Sequence, residues 1–209
     1  MGEPVFIYGK SGSGKSRSLI NLNPEGYLFI NVTGKRLPFK GKPKYEYKGT
    51  DYKKILYCLK NNPTEIAVID DAGYLMTDQF MSGHSKPKSG SSSFDLYNDI
   101  ADRFYNLIRF IKSLPEDQIV YITMHEETSD FGDTKLKTIG KLLDQKVCLE
   151  GLVSIVLRCV TVEKQHYFLT KTDGNDITKS PEDLFQDEKI PNDLAFVDSK
   201  IREFYEINQ

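Results

Sequence analysis

Four short runs of mostly apolar residues recur along the chain, at positions 5–8, 27–32, 66–69 and 119–124. None of them alternates strictly between apolar and polar positions, as a strand with one solvated face would. Continuous apolar runs of this length are typical of strands that are buried on both faces of a parallel sheet. The pattern therefore predicts a central, mainly parallel sheet built from these runs.

Between and after these runs, apolar residues recur at three- and four-residue spacing, which is typical of amphipathic helices. The longest such stretch is 95–114, and its apolar stripe is expected to pack against the sheet. The stripe consists of Leu96, Ile100, Phe104, Leu107, Ile108, Ile111 and Leu114. Further helices are predicted at 14–22, 51–61, 139–149 and 198–207, with a helix start at Ser180-Pro181-Glu182-Asp183.

The pattern changes in the last third of the chain. A long strand at 152–162 passes through the turn residues Glu163-Lys164 into a second strand at 165–171, which predicts an antiparallel hairpin. Strands that alternate with helices predict the α/β class. We therefore expect a mainly parallel central sheet that is flanked by helices and carries an antiparallel hairpin near its C-terminus.

A length of 209 residues suits one α/β domain, and no internal repeat or second apolar core divides the sequence. We expect a single domain over 1–209, with its core at about 5–179 and a helical extension at 180–209.

Composition indicates the cellular compartment of the protein more clearly than its function. Hydrophobic residues make up 39% of the chain and charged residues 28%, and the formal net charge is -2, so a nucleic-acid site would have to be a local basic patch. The cysteines lack disulfide or zinc spacing, which indicates a reducing compartment. No apolar run approaches the roughly 18 residues of a membrane helix, and the chain passes from Met1 straight into the first predicted strand without a signal peptide. We expect a cytoplasmic protein that does not contact a membrane.

The most specific motif lies between the first apolar run and the first predicted helix. The residues Gly9-Lys10-Ser11-Gly12-Ser13-Gly14-Lys15-Ser16 match the P-loop pattern G-x-x-x-x-G-K-[ST] in its required place. Glycines let backbone N–H groups turn towards a phosphate, and the helix N-terminus adds further donors. Lys15 would reach the β- and γ-phosphates, and the Ser16 hydroxyl would ligate Mg²⁺, so ATP and Mg²⁺ are predicted to bind here. The predicted nucleotide-binding residues are Gly9, Lys10, Ser11, Gly12, Ser13, Gly14, Lys15, Ser16 and Arg17.

Polar residues follow two of the apolar runs, at the end of the strands where open α/β sheets bind their ligands. The run at 66–69 ends in Asp70-Asp71, a Walker B pattern. Asp70 is predicted to order the magnesium ion, and Asp71 to orient or deprotonate water. The run at 119–124 ends in His125, which could sense the γ-phosphate or could be an ordinary surface residue.

Two basic stretches are candidates for nucleic-acid contact. Positions 34–48 hold six basic residues interleaved with aromatic ones, and their glycines and prolines predict a loop or hairpin. Positions 82–93 are low in complexity, include Lys86 and Lys88, and are expected to be mobile. Each stretch could equally be a solvated connection.

The order of these motifs resembles that of the RecA-like ATPase core. The chain looks most like the small phage-encoded members of that superfamily, the Sak-type single-strand annealing ATPases, over roughly 5–179. The motifs that carry the resemblance lie at 9–16, 66–71, 124–126 and 170–175. The resemblance implies a RecA-like P-loop NTPase fold and an ATPase that acts on single-stranded DNA in recombination or annealing, within the cytoplasm of the phage's host.

The resemblance also implies roles for particular residues and partners. His125 stands where the family has a γ-phosphate sensor, and the loops 82–93 and 126–137 stand where such cores contact single-stranded DNA. Lys171 matches a basic residue that reaches the nucleotide of a neighbouring subunit and stabilises transition-state charge there. A homo-oligomer is therefore expected, and a single-strand-binding protein or a helicase is a further expected partner.

One departure from the family concerns the catalytic base. RecA-like cores usually carry a glutamate after the second strand, whereas this strand ends in Asn31-Val32-Thr33-Gly34. Asp71 and Glu126 are the alternatives for this role, unless hydrolysis is slow.

Two other functions compete with a DNA-dependent ATPase. A small P-loop kinase would need arginines in a lid over the transferred phosphate, and no lid-like loop of this sequence holds such a cluster. A nucleotide-gated interaction protein, such as a helicase loader, would need nucleotide binding but little turnover.

Overall fold

One sheet runs through the molecule and presents the predicted motifs at a single edge. Its strands are β1 (Glu3–Gly9), β2 (Tyr27–Asn31), β3 (Tyr45–Lys48), β4 (Ile66–Asp70), β5 (Ile119–Thr128), β6 (Thr134–Leu136), β7 (Ile155–Val162), β8 (Gln165–Leu169) and β9 (Lys189–Pro191). Within residues 1–85 and 93–207, which the computed structural model describes, these nine strands join in the order β3-β2-β4-β5-β1-β7-β8-β9, with β6 paired to β5.

The central part of this sheet is parallel. The four apolar runs form β1, β2, β4 and β5, and β3, β2, β4, β5, β1 and β7 follow one another as parallel neighbours. The strands β7, β8 and β9 pair antiparallel, and β6 pairs antiparallel with the end of β5. The predicted α/β class, with a mainly parallel central sheet and an antiparallel hairpin near the C-terminus, is confirmed.

The strand β5 lies between β1 and β4. Its register aligns Gly9 of β1 with His125, and Ile69 of β4 with Ile122. Because all three strands are parallel, their carboxyl ends reach the same edge of the sheet. The P-loop and the acidic pair are therefore brought to either side of the end of β5.

Two hydrophobic cores cover the two faces of the sheet. Along β1, Phe6 and Tyr8 lie in the first core while Val5 and Ile7 lie in the second, and all four side chains are fully buried. This double burial is the reason why the run is continuously apolar. The α-helices are α1 (Tyr52–Lys60), α2 (Gly73–Gly83), α3 (Ser93–Lys112) and α4 (Leu194–Phe204). The first three pack into the first core, and α4 packs into the second.

The helices predicted at 51–61 and 95–114 are confirmed as α1 and α3. Asp51 caps α1, because its carboxylate accepts hydrogen bonds from the N–H groups of Lys53 and Lys54. The middle of the predicted stripe of α3 is buried at Ile100, Phe104, Leu107, Ile108 and Ile111.

Two predicted helices are much shorter in the structure. The stretch 14–22 forms only a 3₁₀ helix at Ser16–Asn21, because the backbone becomes extended at Leu22. The stretch 139–149 is reduced to a π-helical turn at Leu142–Lys146, followed by a 3₁₀ turn.

The helix start predicted at Ser180 is wrong. The Ser180 hydroxyl donates to the carbonyl of Thr170 at 3.0 Å and caps no helix, and Asp183 has a left-handed φ of 65°. Leu184 and Phe185 are each only 4% exposed, so their burial against the second core directs this segment.

The pattern does not predict β3, β6, β9 or α2. β3 lies inside the basic stretch 34–48 and is an edge strand rather than a loop or hairpin. The predicted C-terminal helix begins earlier, at Leu194, where Asp193 caps it. The extension predicted at 180–209 thus supplies a strand as well as a helix.

Two further expectations concern the low-complexity stretch and membrane-spanning helices. Most of the low-complexity stretch 82–93, including Lys86 and Lys88, lies outside the described residues. In the described part of the chain, no helix combines the length and apolar character that crossing a membrane requires.

Candidate functional site

The P-loop begins where β1 ends, and two glycines with left-handed backbones shape it. Gly12 has a φ of 79° and Gly14 a φ of 106°, conformations that glycine adopts without steric cost. A Cβ atom on Gly14 would also lie 2.7 Å from Cγ of His166 on β8. Position 14 therefore requires glycine both for its backbone and for the close approach of β8.

Lys15 points back into this loop. It is 6% exposed, and its Nζ donates to the carbonyl oxygens of Gly9 at 2.8 Å and Lys10 at 2.9 Å. Burial lowers the pKa of Lys15, and the nearby Asp71 carboxylate acts in the opposite direction. The ammonium group is thus already held inside the loop that would surround a phosphate.

Ser16 and Asp70 meet at the edge of the sheet, as the two motifs predict. The Ser16 Oγ atom is 3.0 Å from Oδ1 and 2.9 Å from Oδ2 of Asp70. Thr123 of β5 also donates its hydroxyl to Asp70 Oδ1, at 2.8 Å. Burial and the neighbouring Asp71 carboxylate raise the pKa of Asp70, so a cation at this position would relieve an unfavourable charge.

These oxygen atoms suit Mg²⁺. The ion is usually held by one or two carboxylates together with substrate phosphates and water. Among the residues that the structure describes, no group of three or more His, Cys, Asp or Glu is placed to hold a metal ion. Ser16 and Asp70 are the residues that would hold such an ion, together with a nucleotide phosphate.

Asp71 follows β4 with a left-handed backbone, at a φ of 58°. Its N–H donates to Thr123 Oγ1 at 2.8 Å, so one threonine hydroxyl bonds to both Asp70 and Asp71. Asp71 Oδ2 accepts from Lys35 Nζ at 3.0 Å, and Asp71 Oδ1 lies 3.5 Å from His125 Nε2. The Asp71 carboxylate is thus placed between a lysine ammonium and an imidazole.

His125 lies beside the P-loop, where the sequence predicts a phosphate sensor. Its side chain is 25% exposed, and its ring packs edge-on against Tyr74 with 5.9 Å between the ring centroids. Burial and the Lys15 ammonium lower the pKa of His125, which favours the neutral imidazole at neutral pH. A neutral ring can exchange a hydrogen bond with a phosphate oxygen.

An open cavity of about 400 Å³ lies between the P-loop and the acidic pair. The predicted residues that line it are Ser11, Gly12, Gly14, Lys15, Ser16, Arg17, Asp70, Asp71 and His125. Gly9, Lys10 and Ser13 belong to the loop without lining the cavity described here. The remaining wall comes from Ile20, from His166 and from five consecutive residues, 35–39, which we call the wall segment.

Glu126, one alternative for the catalytic base, is separated from this cavity. Successive residues of a strand point to opposite faces, so Glu126 faces away from the side of β5 that carries His125. Its side chain is 4% exposed and accepts from Arg158 Nε at 3.2 Å, while Arg158 Nη1 donates to Asp176 Oδ2 at 3.2 Å. Glu126 is therefore engaged in a buried ion pair, and Asp71 is the acid that faces the cavity beside Asp70.

Lys171 also lies apart from the residues that line this cavity. It is exposed just beyond β8, and the loop that follows it contacts β6, where the Thr134 N–H donates to the Asn175 carbonyl at 2.8 Å. Its action on a neighbouring subunit stays a prediction.

Three contributors to the site escape motif analysis: Lys35, Thr123 and His166. Thr123 was visible as a polar residue within an apolar run, and Lys35 as a cation just beyond β2, at the ligand-binding edge of the sheet. His166 gives no such signal, because only the pairing of β7 with β8 brings it to the P-loop.

Comparison with known proteins agrees with this geometry. The profile of one protein family, described as AAA domain, matches residues 2–185, which include the P-loop, both acidic residues and the whole of β5. No curated protein matches the chain. Because the family profile covers most of the sequence, the chain belongs to this AAA-domain family of P-loop ATPases.

Proposed function

We propose that this chain is a magnesium-dependent ATPase that binds single-stranded DNA and acts in recombination or strand annealing. The path of β5 is the observation that supports this proposal best. The strand carries His125 at the nucleotide cavity and continues to Thr128, where a hairpin with β6 exposes an aromatic ring at its tip. One strand thus connects the nucleotide to a surface that can stack on bases.

Hydrolysis would use the groups that meet at the cavity. Lys15 would balance the charge of the β- and γ-phosphates, and Ser16 and Asp70 would hold a magnesium ion, which would neutralise phosphate charge. Asp71 orients a water molecule and takes its proton as the water oxygen bonds to the γ-phosphorus. The bond between the γ-phosphorus and the bridging oxygen breaks, and ADP leaves with that oxygen.

Replacing each acid by its amide should separate the two roles. Asp70→Asn removes the charge beside Ser16, so the affinity for ATP in magnesium should fall by about 10-fold, while the affinity in EDTA stays unchanged. Asp71→Asn should leave binding unchanged and lower kcat by about 100-fold, because the base is lost. Titration of a fluorescent ATP analogue measures binding, and phosphate release measures turnover.

Asp78→Asn on α2 is the matched control for this pair. The Asp78 carboxylate accepts from the Thr50 hydroxyl at 2.7 Å on the exposed surface, so binding and turnover should stay at the wild-type level. Normal turnover in Asp71→Asn together with loss of turnover in Glu126→Gln would transfer the role of base to Glu126.

The hairpin of β5 and β6 is the proposed contact with DNA. Phe131 at its tip is 95% exposed, and bases stack on such a ring whatever their sequence. The stem is fixed by Arg158, which binds Glu126 on β5 and donates from Nη2 to Thr134 Oγ1 on β6 at 3.2 Å. An exposed ring on a fixed stem meets the requirement for base stacking.

Phe131→Ala should weaken the binding of labelled oligothymidine by about 10-fold, because base–aromatic stacking contributes about 1–3 kcal/mol per base. Fluorescence anisotropy at several salt concentrations measures this, and the salt slope should not change because no charge is removed. Tyr57→Ala is the control, since Tyr57 is a 69% exposed aromatic residue on α1. Equal DNA affinity in both variants would contradict the hairpin as the contact, and a wild-type chain that binds no single-stranded DNA would contradict the DNA function.

The resemblance to the Sak-type ATPases supports a proposal about assembly as well. In a homo-oligomer, the exposed Lys171 of one chain would serve the nucleotide of the next, and a single-strand-binding protein or helicase would be a further partner. The DNA contact proposed for Lys86 and Lys88 concerns positions outside the described residues.

A further inference from the structure

The wall segment brings a second lysine to the acidic end of the nucleotide cavity. Lys35 Nζ lies 3.0 Å from Asp71 Oδ2 and 5.4 Å from the centroid of the Tyr74 ring. The carbonyl of Lys35 accepts from Nδ2 of Asn31, a residue that is 2% exposed at the end of β2. The backbone of Lys35 is therefore tied to the sheet, while its side chain is 62% exposed and has room to turn.

The rest of the wall segment is fixed by its turn and by apolar contacts. Gly34, just before it, has a φ of 69°, a left-handed conformation that glycine adopts readily and that turns the chain after β2. Leu37 and Phe39 pack against the second core. Lys35 is therefore held between two fixed points and presented to the cavity.

The charges around the cavity suit a nucleotide triphosphate. The cations that line it are Lys15, Arg17, Lys35 and Arg36, and the carboxylates are Asp70 and Asp71. Half of these cations belong to the P-loop end and half to the wall segment. A magnesium-bound triphosphate keeps a net negative charge, so the excess of positive charge in the cavity is complementary to it.

We propose that Lys35 is a second phosphate-binding cation, supplied by the same chain. Its ammonium group leaves Asp71 and binds the terminal phosphate when ATP is present. Without nucleotide, the Lys35 ammonium holds the Asp71 carboxylate. The γ-phosphate carries more charge than a carboxylate and draws the ammonium away, which leaves Asp71 able to orient water. ADP lacks this phosphate, so Lys35 stays on Asp71.

This inference rests on the proposed ATP hydrolysis and adds the residue that distinguishes ATP from ADP. Lys35→Gln should lower kcat by about 100-fold, as the loss of one transition-state donor does. The variant should also lose its preference for ATP over ADP in competition with a fluorescent nucleotide, while its ADP affinity stays unchanged. Lys35→Arg should restore part of both properties, because it keeps the charge.

Lys40→Gln is the matched control. Lys40 is an exposed lysine of the same basic stretch and is not among the described residues that line the cavity. The Lys40→Gln variant should hydrolyse ATP and prefer ATP over ADP as the wild type does. Wild-type turnover and preference in Lys35→Gln would overturn the inference and leave the proposed function intact. A wild-type chain that binds no ATP would instead overturn the proposed function itself.

A double variant distinguishes two possible roles of Lys35: binding the γ-phosphate, or only orienting the Asp71 carboxylate. If Lys35 binds the γ-phosphate, adding Lys35→Gln to Asp71→Asn should lower the ATP affinity below that of Asp71→Asn alone. If the second substitution changes nothing, Lys35 acts only through Asp71 and the inference is overturned.

Mixing variants tests whether Lys35 serves its own chain. Lys15→Ala and Lys35→Gln each damage their own cavity if both residues act within one chain, so a mixture should recover no activity. Recovery of activity on mixing would show that Lys35 reaches the nucleotide of a neighbour, which would overturn the assignment to a single chain.

Discussion

ATP hydrolysis should fall by about 100-fold or more when Lys15 is replaced by methionine, because the buried ammonium that stabilises the transferring phosphate is lost. Methionine keeps most of the volume of the side chain, so the sheet edge stays filled. The carbonyls of Gly9 and Lys10 lose their donor, which should lower the free energy of unfolding modestly. Phosphate release at saturating ATP measures the activity, and circular dichroism confirms that the variant is folded.

Lys60→Met provides the comparison, since Lys60 is exposed at the end of α1. This variant should hydrolyse ATP at the wild-type rate. A folded Lys15→Met protein with wild-type activity would contradict the assignment of the P-loop as the site of hydrolysis.

Replacing Arg158 with alanine should lower the free energy of unfolding by about 3–5 kcal/mol, because two buried carboxylates lose their cation. The side chains of Glu126 and Asp176 are 4% and 1% exposed, so each carboxylate is largely withdrawn from water and depends on the guanidinium group for its charge balance. Urea unfolding at neutral pH should show a lower midpoint at an unchanged slope.

Arg103→Ala is the control for this measurement. Arg103 forms an exposed ion pair with Asp99 on α3, and its removal should lower the free energy of unfolding by less than about 1 kcal/mol. Similar losses in the two arginine variants would show that the buried network contributes no more than a surface pair.

The buried strands could be predicted because burial on both faces leaves a continuous apolar run. β1, β2, β4 and β5 lie at the predicted positions for this reason. β6 and β9 have only three residues each, too few to establish a period, and the four residues of β3 lie within a basic stretch. At 139–149 the apolar spacing fits a helix, but the chain buries Leu143 and Leu149 from short turns instead.

The candidate site could be predicted as far as its residues belong to local motifs. Lys15, Ser16 and Asp70 are in the expected places because the P-loop and the Walker B strand each define their own geometry. Lys35 and Thr123 join them only through the order β1, β5, β4 and β2, which no local pattern contains.

The orientation of Glu126 follows from the alternation of side chains along β5. Glu126 follows His125 directly, and two adjacent residues of one strand cannot face the same side. The apolar run 119–124 does not show this alternation, because it ends before Glu126 while β5 continues to Thr128.

The left-handed backbone of Asp71 implies a conflict between thermal stability and catalytic activity. A residue with a side chain in this conformation costs on the order of 1 kcal/mol relative to glycine. Its surroundings maintain the conformation through the Thr123 hydroxyl, which binds the Asp71 N–H. Selection for thermal stability alone would therefore favour glycine at position 71. That substitution would remove the carboxylate. Engineering studies that rank variants by melting temperature should therefore keep Asp71, or should also measure the activity of any variant at this position.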